Sequence, residues 1–459
     1  MPKSTNYEKF LEFRKIFPWF SFDNFSFSLS QKGLEVDFVF SLSGQITFLP
    51  RLFVPRKKWF RPDHEIEMLL PNILFQIGMI EMVSYWKAAC PPLVKILPGS
   101  LTRDQVAWWK RCYFNGLGEF FYLNSIGTTL EDFMVIEADG GPVHPLMKIP
   151  VTGGIVIPVG GGKDSAVTLE LVGKQKDSIP MIMNPRGATL QTICQFGFGD
   201  QEYIEIHRTL DPGLLALNDQ GFLNGHTPFS ALLAFVAVLA AILSGRKYIA
   251  LSNESSANET TIPGTTINHQ YSKSLEFEND FRNYLRNYIT TDIDYFSYLR
   301  PLSEMQIARL FAGFHKYHAV FRSCNAGSRE DVWCGKCAKC LFTFIILSPF
   351  LSSEKMKDIF GKDLLDDMEL LLLFDQLTGG AEEKPFDCVG TISEVNLALC
   401  EKIRQCGKEK LPGLLDYYRT LPLYPSYSEK SFREAIDGFA AGHHVTGSLL
   451  SILKSALHG

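Results

Sequence analysis

The sequence predicts an α/β protein: a parallel-sheet domain covered by helices, preceded by an α+β domain and followed by a helical C-terminal region. Three observations carry this reading. Short apolar runs alternate with helical stretches between residues 154 and 251. A glycine turn, Gly160-Gly161-Gly162, joins the first of those runs to a helix. Period-two alternation occupies residues 25–49, whereas the pattern beyond Ser353 is helical.

In chain order, Phe25, Phe27 and Leu29 alternate before a Gln31-Lys32-Gly33 turn, and Leu34, Val36, Phe38 and Phe40 alternate after it. That pattern predicts a β-hairpin, with Ile46-Thr47-Phe48-Leu49 as a third strand. Two helices follow, over 66–87 and from Thr102, whose spacing to Gln105 fits a capping box. Trp108, Trp109, Tyr113 and Phe120 on the second are read as core. The run Gly140-Gly141-Pro142-Val143-His144-Pro145 is the clearest composition break. It divides the chain into expected domains 1–145, 146–350 and 351–459. Strands are expected at 154–157, 179–183, 203–206 and 247–251, with a helix over 231–243 introduced by Thr227 as N-cap and Pro228 as first helical residue. Such sheets bind ligands at the carboxyl ends of their strands. Asn184-Pro185-Arg186 and Ser252-Asn253-Glu254, just past two of those ends, are therefore candidate site residues. Helices are expected at 363–374 and 394–406.

Composition excludes several classes. The 459 residues carry a net charge of −5, which advertises no bulk nucleic-acid surface. The start, Met1-Pro2-Lys3-Ser4-Thr5-Asn6-Tyr7-Glu8, lacks the apolar core of a signal peptide, and the apolar run 231–243 is too short to span a bilayer. Ten cysteines without such a signal point to a reducing cytoplasm, where thiols act as metal ligands, nucleophiles or core filler.

Two motifs carry chemistry. The loop Gly160-Gly161-Gly162-Lys163-Asp164-Ser165 turns backbone N–H groups and a helix N-terminus toward one point and adds the charge of Lys163, which suits a phosphate. It is neither a P-loop, because Asp164 separates Lys163 from Ser165, nor a dinucleotide fingerprint, because Ser165 stands where the third glycine belongs. The second motif is Cys324 with Cys334-Gly335-Lys336-Cys337-Ala338-Lys339-Cys340. Four thiols at this spacing can converge on one tetrahedral Zn²⁺ of structural type. An iron–sulfur cluster and a metal-free packing cluster remain the alternatives.

The loop resembles the pyrophosphate loop of the ATP-pyrophosphatase (PP-loop) superfamily, Ser-Gly-Gly-x-Asp-Ser, with Gly160 in place of the first Ser. The resemblance implies a Rossmann-like nucleotide domain of the adenine nucleotide α-hydrolase type that cleaves ATP between the α and β phosphates. Gly160, Gly161, Gly162, Lys163 and Ser165 would hold pyrophosphate, Asp164 would place Mg²⁺, and Arg186, Asn253 and Glu254 would complete the ATP site. Taken with Asn253-Glu254, Asn268-His269-Gln270-Tyr271-Ser272-Lys273-Ser274, the cysteine turn, Lys384-Pro385-Phe386-Asp387-Cys388-Val389-Gly390 and Gly116-Leu117-Gly118-Glu119-Phe120-Phe121-Tyr122, the chain resembles the bacterial MurL family over nearly its full length. That resemblance implies ATP- and Mg²⁺-dependent inversion of the terminal L-glutamate of UDP-N-acetylmuramoyl-L-alanyl-L-glutamate, a peptidoglycan precursor, with release of AMP and pyrophosphate. It also implies a small-molecule UDP-sugar dipeptide partner, recognised in part by the N-terminal domain. His269, Lys273 and Cys388 are the proton-transfer candidates, in that order. Rival readings are a ligase or nitrile-forming enzyme of the 7-cyano-7-deazaguanine type, which would share loop and cysteines, and a non-catalytic nucleotide sensor, which would not need Asp164.

Overall fold

The structure is a computed structural model that describes residues 5–262, 264–265, 267–328 and 330–458; Met1-Pro2-Lys3-Ser4 lie outside the described residues. Its centre is an eleven-stranded sheet built from β1 (Trp19–Leu29), β2 (Gly33–Leu42), β3 (Ile46–Phe48), β4 (Arg51–Pro55), β5 (Leu93–Ile96), β6 (Val135–Glu137), β7 (Thr152–Pro158), β8 (Ile179–Met183), β9 (Ile204–Thr209), β10 (Arg246–Leu251) and β11 (Asp294–Ser297). The order is β11-β10-β7-β8-β9-β4-β2-β1-β5-β6, with β3 beside β2.

The expected hairpin forms as β1 and β2, antiparallel, and β3 pairs with β2. A bulge between Phe22 and Asn24 shifts the side-chain parity of β1. Phe20 and Phe22 point into the core before it, and the odd-numbered Phe25, Phe27 and Leu29 pack on that core after it. Gly78 lets the helix Leu70–Trp86 lie against this strand, since a Cβ there would meet the Phe22 ring at 2.2 Å. That helix is buried on all sides, only Pro71 escaping. The longer helical stretch Asp63–Trp86 has the length and apolarity to cross a membrane. Here it packs inside the protein against the helix Phe229–Ser244, its Glu81 accepting from Nε and Nη2 of Arg208 at 2.7 and 2.9 Å.

Strands β7 to β11 form the parallel half, covered on both faces. Alternation divides their side chains: Val156, Met181, Ile204 and Ile249 join the core under Phe229–Ser244, whereas Ile155, Ile157, Ile182 and Ala250 join a second core. That second core is filled by the helices Lys163–Val172, Glu304–Gly313 and Ala338–Leu347 and by the C-terminal helices. The two halves are one hydrogen-bonded sheet, because β4 pairs antiparallel with β9. The residues 140–150 cross between strands of that sheet.

Two local expectations are corrected. Pro228, not Thr227, caps Phe229–Ser244: its ψ of 71° takes it out of the helical region, and no side chain bonds the first turn. Residues 363–374 do not form one helix. The Asp363 and Asp367 carboxylates accept from the N–H groups of Leu365 and Glu369, which breaks the stretch into two 3₁₀ turns, and the helix begins at Leu371. The helix Ile392–Cys406, in contrast, starts at a complete Thr391–Glu394 capping box.

Candidate active site

The glycine loop lies at the carboxyl end of β7 and forms one wall of a cavity of about 470 Å³. Gly160, Gly162, Asp164 and Ser165 line it, and Gly161 passes behind with a φ of +81° that favours glycine. A side chain at Gly161 would also crowd the backbone of Ala188 and Thr189 at 3.1 Å. The helix Lys163–Val172 begins here with Gly162 as N-cap and no side-chain cap, so its first N–H groups face the cavity unspent. Ser165 Oγ accepts from Gly161 N–H at 3.1 Å and donates to the Gly162 carbonyl at 3.0 Å, closing the loop on itself. Asn184 and Arg186 after β8, and Ser252, Asn253 and Glu254 after β10, also line the cavity, as do Arg322, Asn325 and Lys339.

Lys163 is placed otherwise than the loop spelling suggests. Its ammonium turns inward, 2.5 Å from Asp164 and bonded to the buried Glu304, and it does not line the cavity. Burial disfavours the charge, but the two carboxylates outweigh it and hold Lys163 protonated. The cations facing the cavity are instead Arg186, Lys273, Arg322 and Lys339. Asp164 keeps a third of its side chain exposed there. Burial, and then the Asp164 carboxylate, push the Glu254 carboxyl up.

His269 and Lys273, four residues apart, meet the distant Cys388 beside this cavity. Lys273, on the 3₁₀ turn Tyr271–Lys273, lines it and brings its charge beside Cys388. His269 stands beside the same thiol and is hydrogen-bonded to Glu119 through Nδ1. The turn carrying Cys388 is fixed by Lys384, which pairs with Glu259 and donates to the Gly390 carbonyl at 3.0 Å, and by Gln270, which donates to the Val389 carbonyl at 3.2 Å. Tyr122 packs on Phe386 with ring centroids 5.5 Å apart, so the helix Gly118–Leu123 holds the turn from the other side.

The surroundings sort these three groups by protonation state. Burial would raise the Cys388 thiol, but Lys273, Lys339 and His269 outweigh it and hold it well below its ordinary value. Burial would likewise lower His269, yet Cys388 and Glu119 raise it from 6.5 to about 9. Lys273 is raised too, Cys388 and Glu254 prevailing over burial. The surroundings thus favour the thiolate form of Cys388 and the protonated forms of His269 and Lys273, a separation of the kind that acid–base chemistry uses.

Cys324, Cys334, Cys337 and Cys340 converge as their spacing predicts, with all four sulfurs within 4.8 Å of one another and three of the pairs at 3.5–3.8 Å. Bonds of about 2.3 Å to one tetrahedral ion would set the sulfurs about 3.8 Å apart, so the cage fits such an ion. Backbone N–H groups of Gly327 and Lys336 point at Cys324 and Cys334 sulfur, at 3.1 and 3.4 Å, as they would toward thiolates. The cluster abuts the cavity through Arg322, Ser323, Cys324, Asn325 and Lys339.

Some neighbours were not singled out from sequence. Glu119 was legible only within its motif, and His226 not at all, because nothing in the spacing of Gly225-His226-Thr227 marks it. Lys339 stood in plain view between two cysteines, but its role needs the fold that brings Cys388 beside it.

Fold and site together define an α/β protein with a glycine loop at the carboxyl edge of a parallel sheet and Cys388, His269 and Lys273 gathered beside its cavity. The chain belongs to the MurL family: it matches the MurL N-terminal domain over residues 12–298 and the MurL C-terminal domain over residues 320–417. A Xanthomonas oryzae pv. oryzae protein named UDP-N-acetyl-alpha-D-muramoyl-L-alanyl-L-glutamate epimerase is 37% identical over 331 residues, 70% of this chain and 72% of that one. Proteins of the same name from Salinispora tropica and a Micromonospora species are each 35% identical, over 86% and 74% of this chain and 86% and 76% of their own lengths. No solved structure matches.

Proposed function

We propose that this protein inverts the terminal glutamate of UDP-N-acetylmuramoyl-L-alanyl-L-glutamate through an acyl-adenylate. The observation that carries the reading is that Cys388 and His269 stand beside Lys273, which lines the same cavity as the glycine loop. A glutamate α-proton beside a free carboxylate is too weakly acidic to remove, because a second negative charge would build next to the first. When the α-carboxylate oxygen attacks the α-phosphorus of ATP, pyrophosphate leaves and that charge is gone. The Cys388 thiolate then takes the α-proton, a proton returns to the opposite face, and water splits the anhydride into D-product and AMP. His269 and Lys273 supply the protonated groups around the carbanion.

Asp164 and Glu254 suit Mg²⁺, since the ion would relieve the like-charge repulsion that raises Glu254 and would accompany the ATP phosphates. The four-cysteine cage suits Zn²⁺, which would pin the segment that presents Arg322, Asn325 and Lys339 to the cavity. Elemental analysis of the purified protein is expected to find about one zinc per chain. Iron, or four thiols that titrate freely in the native protein, would contradict that assignment. The function itself is tested by incubation with ATP, Mg²⁺ and the UDP-sugar dipeptide: AMP and pyrophosphate are expected, and ADP with phosphate would refute it.

A further inference from the structure

Glu119 lies 150 residues before His269 in the chain, yet its carboxylate bonds His269 Nδ1 directly. Its side chain is 11% exposed, so water does little to weaken the contact. With Nδ1 bound to Glu119, Nε2 is the ring nitrogen left free for the thiol of Cys388 beside it. A carboxylate thus backs an imidazole next to a thiol, a set of groups in which the carboxylate can fix the tautomer and charge of the histidine. We propose that Glu119 is the positioning residue of the proton-transfer site, holding the His269 ring by Nδ1 so that Nε2 is free to face Cys388.

The groups packed around His269 show why a carboxylate is needed there. His226, from the coil before Phe229–Ser244, lies with its ring centroid 4.6 Å away and Nδ1 3.5 Å from the same Glu119 oxygen. Burial, and then the charge of His269, hold His226 down at about 4, so it stays neutral and leaves Glu119 to its neighbour. Lys87, whose ammonium bonds the Gly225 carbonyl, together with Lys273 and Lys339 brings positive charge to the site from three other elements. Asp387, beside the thiol, is pushed up to about 6 by burial and compensates weakly as pH falls. With Glu119 neutralised, His269 would be a buried imidazole among cations and would lose its proton, and Cys388 would lose one of the charges that stabilise its thiolate.

The test compares wild type with Glu119→Gln and the charge-conserving Glu119→Asp. The ultraviolet thiolate absorbance of Cys388, isolated by subtracting Cys388→Ser, is followed against pH without substrate. For Glu119→Gln the thiolate is expected to appear about one pH unit or more higher than in wild type. Proton exchange at the glutamate α-carbon, the arm that rests on the epimerase reading, should fall roughly 10²-fold with its high-pH limb moved below 9, while AMP formation and the KM for ATP stay within a few-fold. Glu119→Asp should restore part of both. Unchanged thiolate titration and pH profile in folded Glu119→Gln would overturn the proposal. If Glu119→Gln does not fold, a wild-type titration in Glu119→Asp overturns it equally. Because the ligand atoms of Glu119, His226 and His269 lie within 4.8 Å of one another, a divalent metal beyond that of the cysteine cage, lost in both Glu119→Gln and His226→Asn, would also overturn it. Absence of AMP in wild type would refute the epimerase reading, while the thiolate titration would still decide the role of Glu119.

Discussion

Cys388→Ala is expected to lower the rate of glutamate inversion by roughly 10²–10⁴-fold, the usual contribution of a positioned general base, while AMP still forms. The expectation follows from protonation states. His269, at about 9, and the raised Lys273 both carry their protons at neutral pH, so neither can take the α-proton there. Cys388 is the one of the three whose surroundings favour the basic form. The same states fix the pH dependence. The thiolate persists on raising pH, whereas the acid form of His269 is lost as pH passes through about 9, so inversion should be flat near neutrality and decline above 9. The sign for stability agrees: a histidine raised from 6.5 to about 9 contributes fully below 6.5 and loses that contribution as pH climbs through 9. Chiral analysis of the product glutamate, beside a count of AMP, measures the effect; inversion at the wild-type rate in the variant would move the base elsewhere.

Asp164→Asn is expected to remove the earlier step. Its carboxylate is the exposed charge at the mouth of the helix N-terminus, bonded to Lys163 and facing Glu254 across the proposed Mg²⁺ position. The variant keeps the shape and removes the charge, so the fold should survive. Pyrophosphate release should drop roughly 10²–10³-fold, the scale of losing one preorganised electrostatic contact to the transition state. Inversion should fall with it, since no adenylate forms. Substantial pyrophosphate release by folded Asp164→Asn would detach the loop from ATP chemistry.

The two variants separate the parts of the site that differ in legibility. The cradle was readable because it is local: strand, three glycines and Lys-Asp-Ser occupy adjacent residues, and the turn geometry follows from them. The cysteine cage was readable for the same reason. Lys163 was the exception inside that local motif, because its partner Glu304 lies 141 residues away and no spacing rule reveals the pairing. The proposed proton-transfer set, apart from the neighbours His269 and Lys273, is long-range. His269, Cys388 and Glu119 sit on a coil, a turn and a short helix that meet only after the strands have paired, and the order of acids and base depends on burial and on Lys273 and Lys339 nearby. In the fold, parity and capping were legible where a pattern was strong, as in β1–β2 and at Thr102. β4, β5, β6 and β11 were missed, each only three to five residues long. The β4–β9 pairing that makes one sheet of both halves is a tertiary event no local signal announces.

The most direct test of the central claim is to run the reaction in D₂O with ATP, Mg²⁺ and the L-glutamyl substrate and to examine the product α-carbon by mass spectrometry alongside the released nucleotide. Inversion through a carbanion on an adenylated glutamate predicts D-product carrying one deuterium at that carbon, together with AMP. AMP released without deuterium at the α-carbon would leave an ordinary adenylating enzyme and contradict the account.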